Sequence, residues 1–105
     1  MDARSYLGSL VGREIKTLTG RPNRVLQIEG DHVIVATAKS PNGQPVPIAW
    51  VQNALDMLER DGEVVINVET VGYRSAFIGA VLTTLPGITT ALAPRRVLLS
   101  AASRP

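Results

Sequence analysis

The sequence predicts a small α+β domain: an antiparallel sheet, built from a hairpin plus additional strands, packed against two to three helices. Three observations predict it. Residues 24–29 and 32–37 are strand-like runs separated only by Gly30-Asp31. Residues 47–61 carry apolar side chains at helical spacing between Pro47 and Gly62. An alternating run, Glu63 to Glu69, then leads into a second apolar stretch, Ser75 to Leu85. Helical and strand periods follow one another within a length that suits one domain.

In chain order, Tyr6, Leu7, Leu10 and Val11 recur at helical intervals in residues 3–12, and Gly12 is placed to stop that helix. Residues 14–19 alternate loosely and read as a strand, and Gly20-Arg21-Pro22-Asn23 reads as a turn. The Gly30-Asp31 pair fits a two-residue type II′ turn, which needs a positive φ at its first central position alone. Lys39 to Pro45 is dense in turn formers and is expected as an exposed loop. Pro47 pre-sets the first turn of the next helix. Ile48, Val51, Ala54, Leu55 and Leu58 form its apolar face. In the run from Glu63, the residues expected inward are Val64, Ile66 and Val68. Phe77, Ile78, Val81, Leu82 and Leu85 give the second helix its apolar side, and Pro86-Gly87 ends it. The single domain is therefore expected over 1–88, with 89–105 a linker or C-terminal tail in which Arg96 to Ser100 has some strand character.

Composition excludes several classes. The chain has no cysteine and one histidine, so disulfides, thiolate sites and an imidazole-pair metal site are absent, and no metal or cofactor is expected. No apolar run reaches transmembrane length, and the N-terminus lacks the charged and apolar regions of a signal peptide. A cytoplasmic location without membrane attachment is the expectation. There is no Gly-x-Gly-x-x-Gly, no Walker-type loop and no Gly-x-Ser-x-Gly elbow. His32 stands beside the hairpin turn, and Asp56 and Glu59 lie on the outer face of an amphipathic helix, as ordinary surface charges do. No catalytic residue is expected.

Net charge is only +2, but it is segregated. From Arg13 to Lys39 five basic residues meet three acidic ones; from Asp56 to Glu69 five carboxylates meet one arginine; from Thr70 onward there are four arginines and no carboxylate. Such a chain can fold with one basic and one acidic face. Three segments suit an anionic partner. Gly72-Tyr73-Arg74-Ser75 precedes a helix start, where free N–H groups favour an anion, Ser75 is expected to cap, and Arg74 supplies a donor fork. The turn at 20–24 presents Arg21, Asn23 and Arg24, and the loop at 39–43 presents Lys39. A capped helix with a surface arginine and two solubilising turns account for the same residues. Trp50, in the first turns of its helix, is expected to pack.

The stretches Leu10 to Arg24, Gln44 to Gln52, Gly72 to Leu82 and Leu85-Pro-Gly together resemble a known module. They look like the N-terminal head domain of actinobacterial McrA-like, modification-dependent restriction endonucleases of the His-Asn-His nuclease type. The resemblance spans residues 7–88 and rests on no catalytic signature. It implies a module of bacterial restriction–modification defence that assists engagement of double-stranded DNA, or arranges nuclease and modified-DNA reader domains. Neither of those domains lies within this chain, so any catalysis is expected elsewhere. Two readings follow. One is a DNA-binding accessory module acting through Arg21, Asn23, Arg24, Lys39, Tyr73, Arg74 and Ser75. The other is a protein-docking or homodimerising module without DNA contact.

Overall fold

Among the described residues, the chain's local preferences resolve into eleven elements arranged as two antiparallel sheets around one buried helix. The computed structural model describes residues 1–100. The order is α1 (Ala3–Leu10), β1 (Glu14–Lys16), β2 (Pro22–Glu29), β3 (His32–Ala36), β4 (Gln44–Pro47), α2 (Ile48–Asp61), β5 (Glu63–Val65), α3 (Val68–Val71), α4 (Ser75–Thr83), β6 (Ile88–Leu92) and β7 (Arg95–Leu99). The first sheet runs β1-β2-β3-β4 and the second β5-β7-β6.

The hairpin forms as expected: Glu29 pairs with His32, Gly30 has φ 58°, and among the described residues no non-glycine takes a positive φ. A β-bulge between Val25 and Gln27 inserts Leu26 as an extra residue. Without it, strict alternation would turn Gln27 to the core; with it, Ile28 pairs with Val33 and packs against the core instead. Helices α1 and α2 cover this face through Leu7, Leu10, Val51, Ala54, Leu55 and Leu58. The Asp2 carboxylate caps α1 by accepting from the Ser5 N–H at 2.8 Å. Gly62, at φ 77°, ends α2 in the left-handed conformation its missing Cβ allows.

Helix α4 holds the halves together. Phe77 through Leu82 are all buried, which is the signature of a helix enclosed on every side. It packs against β1, α2, α3, β6 and β7. A Cβ on Gly79 would stand 2.9 Å from Leu18 Cδ1 and 3.0 Å from Ile66 Cγ2, so a side chain here would push α4 off its neighbours.

Four local expectations are corrected. The strand from Glu63 stops at Val65, because the Asn67 side chain accepts from the Thr70 N–H at 2.7 Å and starts α3; Val68 is exposed rather than inward. Gln44 to Pro47 forms an edge strand, a position where proline is tolerated, and Pro47 is the N-cap of α2. Ser75 does not cap α4: Arg74 occupies the N-cap and no side chain bonds the first turn. The boundary at 88 also moves. Residues 89–99 were expected as linker or tail, yet β7 is the central strand of the second sheet and Val97 is fully buried. That strand is recruited by pairing with β5, more than thirty residues earlier, which no local pattern reveals. Residues 101–105 of the expected tail lie outside the described residues.

Candidate functional site

Three connections converge on one cleft of about 460 Å³ between the β1–β2 turn, the β3–β4 loop and the start of α4. Each is positioned by its own backbone bonds. In the first turn Thr17 N–H donates to the Arg21 carbonyl at 2.9 Å, and Arg21 N–H donates to Thr17 Oγ1 at 3.0 Å. Arg21 is thereby fixed at the cleft wall while its side chain stays exposed. In the second, Thr37 and Ser40 exchange backbone bonds of 3.1 Å, which puts Lys39 at the loop apex. Gly43 closes that loop at φ 98°, where a Cβ would stand 2.6 Å from Ile34 and 2.9 Å from Leu26.

The third connection is Gly72-Tyr73-Arg74. The Arg74 guanidinium donates to the Gln44 side-chain oxygen and lies 5.4 Å from the centroid of the Tyr73 ring. Tyr73 itself is 72% exposed, so its ring stands at the mouth of the cleft as a flat, accessible surface. The first-turn residues Ser75, Ala76 and Phe77 line the cleft, and their N–H groups have no capping side chain. The floor is polar. Thr17 and Asn23, the buried polar residues among those described, both line it. Asn23 is held by donating from Nδ2 to the Pro22 carbonyl at 2.8 Å.

Six of the seven residues named from sequence therefore meet: Arg21, Asn23, Lys39, Tyr73, Arg74 and Ser75. Asn23 does so as a buried floor residue of β2, not as an exposed loop amide. Arg24 does not join them. One step along β2 its side chain turns to the opposite face, where Nη1 donates to the Gly12 carbonyl at 2.9 Å. One cation was missed. Arg95, assigned by sequence to the tail, lines a small neighbouring pocket that shares Thr17, Ser75 and Ala76 with the cleft. The signal was present in the arginine-only charge of the last third of the chain, but not its position.

The electrostatics are one-sided. Arg21, Lys39 and Arg74 line the cleft and no carboxylate does. Free helix N–H groups add partial positive charge at the same place. Chemically, the cleft can hold an anion and present a ring beside it. Among the described residues no cluster of carboxylates or imidazole suits a metal ion, and no helix is long and apolar enough to cross a membrane. Comparison with known proteins found no match: no family model, no curated protein and no solved structure corresponds to this chain.

Proposed function

We propose that this domain is a non-catalytic DNA-binding accessory module that holds the phosphate backbone of double-stranded DNA in the cleft between Arg21, Lys39 and Arg74. The observation that carries the reading is the meeting of three cations with the uncapped start of α4, without a carboxylate in the lining. Phosphate oxygens accept from guanidinium forks and from helix N–H groups, and the arginines and the uncapped first turn of α4 line the same cleft. Tyr73, exposed at the mouth of the cleft, is the group available for sugar or base edges, while Asn23 shapes the floor beneath it. Arg24 is left out of the interface and Arg95 is added at its end. As in the head modules that residues 7–88 resemble, the chemistry would belong to a nuclease domain on which this one acts as an accessory; the cleft, rather than kinship, is the support.

The test is an anisotropy titration of a labelled duplex over a salt series. Affinity should fall steeply with salt, with a slope of about 0.9 per phosphate neutralised. Arg21→Ala, Lys39→Ala and Arg74→Ala should each flatten that slope by about one. No affinity for any duplex at low salt would sink the proposal.

A further inference from the structure

Two sheets have four edges, and three of them are blunted. Strand β1 has only three residues, two of them charged (Glu14 and Lys16). Strand β4 carries Pro45 and Pro47. Strand β5 is three residues long and begins with Glu63. Short length, charge and proline are the devices that keep sheet edges from pairing with other chains. Strand β6 has none of them: Ile88-Thr89-Thr90-Ala91-Leu92 is five residues without charge, proline or bulge.

The ladder shows which groups of β6 are open. Ser100 N–H donates to the Gly87 carbonyl, so the pairs bonded to β7 continue as Thr89 with Leu98 and Ala91 with Arg96. On its other side β7 uses the alternate residues: Leu99 N–H donates to Gly62 and Ile66 N–H to Arg95. The N–H and C=O groups of Ile88, Thr90 and Leu92 therefore face away from β7, along an edge that no other strand among the described residues pairs.

We infer that β6 pairs antiparallel with β6 of a second copy about a two-fold axis at Thr90, joining two three-stranded sheets into one of six strands. The strand is self-complementary in that register. Ile88 meets Leu92 of the partner subunit, Thr89 meets Ala91 of the partner subunit, and Thr90 meets its own counterpart. All the open groups pair, giving six hydrogen bonds, and no charge is brought against another. A second feature fits the same occupant. Leu92 is 62% exposed, large and apolar, on the face of the sheet that carries Ile88 and Leu99. Beside Leu99 on that face runs a groove of about 390 Å³, lined by the apolar Leu55, Leu58, Leu85 and Pro86 and by the Met1–Glu59 ion pair. The two-fold brings Leu92 of the partner subunit next to Ile88, at the border of that groove. Exposed knob and open groove are then each other's cover.

Sedimentation of the full chain from micromolar to near-millimolar concentration tests this, together with hydrogen exchange at the low and high ends. The mass should rise toward twice the monomer, and the amides of Ile88, Thr90 and Leu92 should gain protection as it does. Thr90→Pro removes an N–H that β7 does not use, and Leu92→Lys sets an ammonium against an apolar side chain; each should weaken association about tenfold or more. Exchange on the unaltered protein reads the same edge without relying on either variant. A monomer at every concentration overturns the inference, as does association that both variants leave unchanged or that leaves those amides unprotected. Protection of the edge by an added extended peptide, in a chain that stays monomeric, assigns it to a foreign strand and equally overturns self-pairing. None of these readouts involves DNA.

Discussion

Gly72 lies against the face of Trp50: a Cβ built on the glycine would stand 3.2 Å from indole Cε3 and 3.3 Å from Cδ2. The same glycine has φ 101°, which side chains rarely adopt. Helix α2, through its half-buried tryptophan, thus sets the path of the segment that delivers Tyr73 and Arg74 to the cleft. Gly72→Ala should destabilise the fold by roughly 1–3 kcal/mol, read by urea denaturation, since it meets both the contact and the backbone strain. It should also weaken duplex binding more than Arg24→Ala does.

Arg24 supplies the internal control for the cleft. It has the charge of Arg21 and lies three residues away, but β2 turns it to the other face. Arg24→Ala should leave the salt slope of duplex binding unchanged, whereas Arg95→Ala should lower it by about one. Equal losses from both would mean that charge, and not the cleft, governs binding.

Val97 is fully buried in the middle strand of the second sheet. Val97→Ala should lower stability by about 2–3 kcal/mol in denaturant, from lost burial and the cavity left behind. A chain ending at Gly87 should not fold cooperatively, because it removes both β6 and β7. A sharp unfolding transition in that truncated chain would restore 88 as a domain boundary.

The Asp2 carboxyl is held below the ordinary carboxylate range, chiefly by its hydrogen bonds from Ser5 and then by the Arg4 charge. A depressed folded-state value means that the ionised cap contributes stability at neutral pH and loses it as acid protonates it. The thermal midpoint of the native chain should therefore fall in acid more steeply than that of Asp2→Asn, which keeps a capping oxygen but has no proton to gain. Identical acid profiles would show that the cap is uncoupled from folding.

Periodicity and turn chemistry carried much of this structure. The hairpin is written in Gly30-Asp31, the long helix in its apolar spacing and Gly62, and the clustering of Arg21, Lys39 and Arg74 at turns was legible because loops must present what strands hide. Those are short-range effects, decided by φ preferences and by which side chains a helix face can bury. Tertiary structure decided the rest. The bulge at Leu26, the burial of Asn23 and the outward turn of Arg24 depend on register against β1 and β3. The second sheet depends on Val97 finding β5 across more than thirty residues, with the reward of burial arriving only once α4 is in place. The sequence alone determined an α+β chain with basic loops and no visible catalytic set. Only the packing of both sheets on α4 decided that three of those loop cations share a single cleft, because a local pattern encodes faces and turns but not which distant faces meet.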